Sequence, residues 1–253
     1  MSAAPPSLPI ESMPSPQPGL SEPARIINTF IAPGKTFEDI KRKASWWVPW
    51  LLSCVFAIAF FVTIDKKVGF EQVSREMLSH NSQVQQQTPE QQERTIAITT
   101  AITKYLGYAA PLFILLYGLV IAVVLMATFN FAMQAEIPFS NSLAIVFYAW
   151  LPAILTSVLG MISLMIGNPD NFHLQNPVAT NPAYFLDPAA TSKFLYAFLS
   201  SFDVISLWTV VLLGIGFAVN SKKKLSTGTA IMVVATWFFL VKLVASGFAQ
   251  LRG

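Results

Sequence analysis

Five long apolar blocks constrain the fold of this chain more than any other feature of its sequence. Each block is at least 18 residues long; three carry no charge, and the other two carry only Asp203 and Lys242. A helix needs about 20 apolar residues to cross a bilayer core, and uninterrupted blocks of this length do not alternate as membrane strands do. The sequence therefore predicts an all-α, polytopic membrane helix bundle. Its five transmembrane helices are expected at 47–64, 105–133, 138–166, 194–219 and 226–249.

Composition excludes several other classes of protein. Hydrophobic residues make up 54% of the chain and charged residues 11%, against roughly 25% charged residues in soluble domains. The single Cys54 and two histidines, His80 and His173, offer no disulfide and little for a metal site. The net charge of +3 is concentrated beside apolar blocks, as in membrane proteins, and does not form a nucleic-acid-binding stripe. We therefore expect no cofactor, no metal and no nucleic-acid partner.

The segment before the first block divides into two parts. Its first 23 residues contain seven prolines and predict a disordered cytoplasmic tail, which leaves 24–253 as the membrane domain. Apolar residues then recur at helical spacing up to Pro33, and Thr36 with Asp39 resembles a capping box that opens a second short helix. This pattern predicts an amphipathic segment on the membrane surface; a simple anchor for the first span is the alternative. The expected interface anchors are Phe30, Ile31, Phe37, Ile40, Lys41, Arg42, Lys43, Trp46, Trp47 and Trp50.

Lysines and arginines predict the orientation of the chain. With the N-terminus inside, eight of them lie on the inner side and seven on the outer side. Both tight clusters, residues 41–43 and 222–224, then fall on the inner side, and short basic flanks outweigh charges spread along loops. We expect a multi-pass protein of the cytoplasmic (inner) membrane with its N-terminus in the cytoplasm and its C-terminus outside.

The two charges within the last blocks predict an intramembrane ion pair. Helices four and five would form a tight hairpin around 220–225, so residues at equal depth have numbers that sum to about 445, as Asp203 and Lys242 do. Pairing would reduce the cost of an isolated charge; the alternative is that Lys242 extends outward and Asp203 meets interfacial water. Small residues are expected where these helices pack closely: Gly214, Ala218, Gly228 and Ala235.

Two segments resemble the Yip domain, named for Ypt/Rab-interacting proteins. They are RIINTFIAPGKTFEDIKRKASWWVPWLLS at the entry to the first span and FDVISLWTVVLLGIGFAVNSKKKLSTGTAIMVVATWFFL around the last two. The likeness extends from about Ala24 to the end and is closest to the prokaryotic branch of the family. It implies five helices, a cytoplasmic N-terminus and no assigned catalytic chemistry. Eukaryotic relatives bind prenylated Rab GTPases in vesicle traffic; their tail motif DLYGP is not present here.

Residues needed for membrane-embedded catalysis are missing from the pattern. An intramembrane aspartyl protease needs two facing aspartates, but only Asp203 lies in a predicted span. A zinc protease needs a HExxH-like pair, but the two histidines are 93 residues apart. The sequence therefore predicts a protein that is not an enzyme.

Two non-catalytic functions are open. One is a membrane organiser or adaptor, whose partners would be anionic headgroups at the inner face and a membrane protein or a second copy. The other is a small-solute or ion transporter, for which kinks at Pro111 and Pro152 and the polar residues Asn130, Gln134 and Glu136 would line a path.

Overall fold

The computed structural model describes residues 19–79, 81–167, 174, 176–187 and 190–251. Most of the predicted proline-rich tail lies outside the described residues. Within them the chain is helical and contains no β-strand. Apart from a short 3-10 turn at Pro182–Phe185, the helices are α1 (Glu22–Ile31), α2 (Pro33–Arg42), α3 (Trp47–Lys67), α4 (Phe70–Ser79), α5 (Ser82–Gln85), α6 (Pro89–Tyr108), α7 (Ala110–Met133), α8 (Phe139–Ala149), α9 (Ala153–Ile166), α10 (Lys193–Ser200), α11 (Val204–Asn220) and α12 (Thr227–Leu251).

The predicted membrane bundle is confirmed. Four helical segments of the described chain are long and apolar enough to cross a membrane: α3, α7, α8 continued by α9, and α12. Helices α10 and α11 form a fifth span if the bent pair is counted as one. All five correspond to the apolar blocks of the sequence.

Prolines change two of the predicted spans. Pro111 lies in the first turn of α7, where a missing N–H costs nothing, so the predicted span 105–133 begins at Ala110 and α6 is a separate helix. Thr88 caps α6 through a reciprocal pair of hydrogen bonds with Gln91, 3.1 and 3.4 Å long. Pro152 separates α8 from α9.

A carboxylate interrupts the predicted span 194–219. Helices α10 and α11 meet there at 55°. Asp203 is the N-cap of α11, and its Oδ1 accepts the N–H of Ile205 at 2.9 Å. The prediction of one continuous helix through Asp203 is therefore wrong, because this side chain satisfies the exposed amides of a new helix start.

Helix α8 is the centre of the bundle. Every residue from 142 to 149 is buried, whereas a helix on a protein surface buries only one stripe. Helices α1, α2, α3, α7 and α11 surround it. Gly118 of α7 makes room for Phe147, since a Cβ at position 118 would lie 2.6 Å from that ring. The contacts of α8 therefore determine how the N-terminal segment is held.

Helices α4, α5 and α6, which lie between α3 and α7 in the sequence, form a smaller unit. Arg75 of α4 contacts Glu71 and, on α6, Glu93, each at 2.9 Å. These pairs are exposed and contribute little to stability. Tyr108 donates a hydrogen bond to Asp65 of α3 at 2.9 Å. This unit is joined to the bundle partly through surface polar contacts.

Candidate functional site at the lysine-rich end

Helices α1 and α2 form a hairpin that is part of the protein core. We call them the N-terminal hairpin. The side chains of Phe37 and Ile40 are 0% exposed and pack with α8 and α11, and Phe30 is half-buried against the same core. The prediction that Phe37 and Ile40 contact the membrane is wrong, because protein covers them completely. Ile31 is 75% exposed and does face away from the protein.

A buried charge cluster joins the two helices of the hairpin to α8. Arg25 is 1% exposed, and its Nε lies 2.6 Å from Oδ2 of Asp39. Glu22 lies 3.6 Å from Nη1 of Arg25 and accepts a hydrogen bond of 2.5 Å from the hydroxyl of Tyr148. We call these four residues the Arg25 cluster. It connects α1, α2 and α8 through charge-assisted hydrogen bonds, which are among the stronger kind.

The predicted capping box in α2 is wrong. The helix begins at Pro33, and its N-cap residue, Ala32, makes no side-chain capping bond. The hydroxyl of Thr36 instead donates to the backbone oxygen of Arg25 at 2.8 Å, and Asp39 binds the Arg25 side chain. Both polar side chains are used to fold α1 onto α2, which a local pattern cannot distinguish from a helix cap.

Two asparagines attach the end of α2 to the bundle. The amide of Asn220 donates to the backbone oxygens of Phe37 and Gly216, both at 3.0 Å. Asn141 of α8 donates to Oδ1 of Asn220 at 3.1 Å and to the backbone oxygen of Ile40 at 3.4 Å. We call this pair the asparagine bridge. It places the end of α2 beside the end of α11, since Phe37 and Asn220 are 183 residues apart along the chain.

The asparagine bridge brings the two basic clusters to one end of the bundle, which we call the lysine-rich end. Residues 41–43 follow Ile40, and residues 222–224 follow Asn220. The backbone N–H of Lys222 also donates to the oxygen of Ala135 in the α7–α8 turn at 2.9 Å. All six basic side chains are exposed. The sequence predicts both clusters on the inner side of the membrane, and the fold brings them to the same end.

The predicted tryptophan anchors differ in their surroundings. Trp46 stacks on Phe147 with ring centroids 5.7 Å apart and contacts Trp50 at 6.1 Å. Trp50 donates from Nε1 to the backbone oxygen of Pro111 at 3.3 Å. Only Trp47 of these three is mostly exposed, at 56%. Trp46 and Trp50 thus pack α3 against α7 and α8, and Trp47 is the one free to act as an anchor.

The polar residues of the transport alternative close the α7–α8 turn. Asn130 accepts the N–H of Ile137 at 2.8 Å and donates to its oxygen at 3.0 Å. Gln134 and Glu136 both adopt left-handed backbone conformations, with φ of 52°. Glu136 lies 3.4 Å from the ammonium group of Lys222. Asn130 and Gln134 therefore belong to the α7–α8 turn, and Glu136 joins this turn to Lys222, which follows α11.

Asp203 and Lys242 make no direct contact. No ion pair within 4.0 Å joins these two described residues. The ammonium group of Lys242 lies 5.6 Å from the centroid of the Phe238 ring. Their pairing inside a membrane stays a prediction.

The prediction is tested by neutralising each charge. Asp203→Asn keeps a good N-cap for α11 and removes only the charge, and Lys242→Met removes the other. If the charges interact in the membrane, the double variant will be less destabilised than the two single variants added together. Thermal denaturation in lipid nanodiscs measures all four proteins; strictly additive losses would show that the two side chains act independently.

Helices α11 and α12 approach closely at one predicted glycine and not at the other. A Cβ on Gly214 would lie 2.6 Å from the Cα of Ile231. A Cβ on Gly228 would meet no atom within 4 Å, so Gly228 does not mark a close approach. Ala218 is 9% exposed and Ala235 is half-buried against the same core. Three of the four predicted packing residues therefore lie at packed positions.

Gly214→Ala is expected to destabilise the protein by about 1–3 kcal/mol, because the added methyl group meets backbone atoms that cannot yield easily. This loss should exceed the gain of up to about 1 kcal/mol that alanine brings in helix propensity. Gly228→Ala is the matched control and should be neutral or slightly stabilising. Thermal denaturation in detergent compares the two; equal stabilities would contradict the close approach.

The fold and this site define a class of protein: a polytopic helical membrane protein whose N-terminal hairpin is folded into its bundle. The family model described as Yip1 domain matches residues 27–247, from within α1 to near the end of α12. The chain belongs to the Yip1 domain family. A comparison with curated proteins found no match, and a comparison with solved structures found none.

Proposed function

We propose that this protein is a non-catalytic membrane organiser or adaptor that acts through its lysine-rich end. The observation that supports this most directly is the complete burial of Phe37 and Ile40. A hairpin held in this way presents its outer surface in a fixed position, which favours specific recognition. Membership of the Yip1 family, whose members are in general non-enzymatic membrane proteins, agrees with this role. Its partners are anionic headgroups and a membrane protein or a second copy.

The experiment uses the outward face of the hairpin. A photo-crosslinking amino acid at Ile31, which is 75% exposed, should give a stoichiometric adduct with one membrane protein or a second copy. The same label at Tyr105 of α6, 77% exposed, is the control and should not. Purified protein in liposomes should move no solute. Solute flux without a partner, together with no specific adduct at Ile31, would contradict the proposal and favour a transporter.

We also propose that the lysine-rich end faces the cytoplasm of the cell and the C-terminus the outside. In a Cys54→Ser background, a cysteine at position 10 should react with a membrane-impermeant reagent only from the cytoplasmic side. Cysteines at positions 80 and 180 should react only from outside, because basic clusters are retained on the inner side. External labelling at position 10 would reverse the orientation.

A further inference from the structure

We infer that four exposed lysines form a contact surface for anionic lipid headgroups: Lys43, Lys223 and Lys224 at the lysine-rich end, and Lys35 near the start of α2. This inference rests on the proposed function and identifies which basic residues meet the membrane. The sequence alone treats the residues of the two clusters as equivalent. The fold separates them into two groups.

Three of the basic side chains in the clusters already have acidic partners. Lys41 lies 3.1 Å from Glu38, Arg42 lies 3.1 Å from Asp39, and Lys222 lies 3.4 Å from Glu136. A headgroup would therefore have to compete with a carboxylate for each of these three side chains.

The other three lysines of the clusters, and Lys35 near the start of α2, have no such partner. No described acidic side chain lies within 4.0 Å of Lys35, Lys43, Lys223 or Lys224. All four are exposed. A lysine in this state gains most from an external anion, because no internal pair has to be broken first.

Neighbouring apolar side chains identify the anion as a lipid. Ile31, four residues before Lys35, is 75% exposed, and Trp47, four residues after Lys43, is 56% exposed at the start of a membrane span. A free phosphate or a nucleic acid would meet only the lysines. A bilayer surface offers phosphate groups to the lysines and acyl chains to Ile31 and Trp47.

The test is native mass spectrometry of the full chain in neutral detergent, with phosphatidylglycerol titrated against phosphatidylcholine. Lys43→Gln/Lys223→Gln removes two free lysines. The control removes two paired lysines together with their acids, so that its net charge stays that of the natural sequence: Lys41→Gln/Glu38→Gln/Lys222→Gln/Glu136→Gln. We expect the dissociation constant of the first phosphatidylglycerol to rise about 5-fold for each free lysine lost, the equivalent of ~1 kcal/mol.

Phosphatidylcholine binding should stay unchanged in all proteins, and the control should keep the selectivity of the natural sequence. Equal losses in both variants, or no loss in either, would overturn the inference. Displacement of the lipid by glycerol phosphate would assign the site to a free phosphate and also overturn the inference.

If the free-lysine variant loses thermal stability, the titration of the natural protein decides: its selectivity for phosphatidylglycerol must fall as salt rises. If the natural protein shows no selectivity for phosphatidylglycerol but still forms the adduct at Ile31, the lipid inference fails and the proposed partner role stands.

Discussion

Phe37→Ala is expected to lower the free energy of unfolding by about 3–5 kcal/mol, the usual loss for a fully buried phenylalanine. Phe37 is 0% exposed, and Gly216 of α11 lies against it: a Cβ at position 216 would be 3.1 Å from the Phe37 ring. Truncation therefore leaves a cavity between α2 and α11 that the asparagine bridge prevents from closing. If the hairpin lay on the membrane surface instead, the same substitution would remove only a contact with lipid, and the bundle would stay intact.

Thermal denaturation in detergent, followed by tryptophan fluorescence, measures this loss. Ile31→Ala is the control, because Ile31 belongs to the same hairpin but is 75% exposed. It should leave the unfolding transition nearly unchanged in detergent. If Phe37→Ala and Ile31→Ala behave alike, the hairpin is not part of the cooperative core.

The spans could be predicted from sequence because the bilayer imposes their length. Each needs about 20 apolar residues whatever its neighbours are, so apolar blocks locate all five. Breaks were harder to foresee: Asp203 was expected within a helix and instead starts one. A single carboxylate can pair within the membrane or cap a helix, and the local sequence does not distinguish these outcomes.

The hairpin shows a different limit. Its apolar spacing places Phe37 and Ile40 on one apolar face, but a periodic pattern does not say whether lipid or protein covers that face. The signal was Arg25, a charge one turn before Thr29 on the inward face of α1. A cation there requires an acidic partner, which a lipid core does not supply. Tyr148 and Asn220 gave no comparable signal, because their partners are distant in sequence.

Arg25→Met is expected to cost about 3 kcal/mol of stability, near the lower end of the range for removing one partner of a buried ion pair. The loss arises because Asp39, 9% exposed, would lose its 2.6 Å contact with Arg25 and keep only weaker ones, from Arg42 and from the backbone N–H of Leu20. Arg42→Gln is the matched control: its side chain is 56% exposed and should contribute at most about 1 kcal/mol. Arg25→Met/Asp39→Leu should recover part of the loss, since it removes the unpaired charge as well.

The pH dependence of stability tests the same contact independently. Partial burial would raise the pKa of Asp39, but hydrogen bonds and charge from Arg25, then a bond from Arg42, outweigh it and hold that pKa below its ordinary value. A lowered folded-state pKa contributes stability that is fully present above the unfolded-state pKa of about 3.9 and is lost as pH falls through the folded-state pKa. The natural protein should therefore lose stability below about pH 4 more steeply than Asp39→Asn, which has no such carboxylate. Arg25→Met should show a shallower loss, because the pKa of Asp39 moves back toward its ordinary value. Parallel pH profiles for all three proteins would mean that Arg25 holds the hairpin by packing and not by charge.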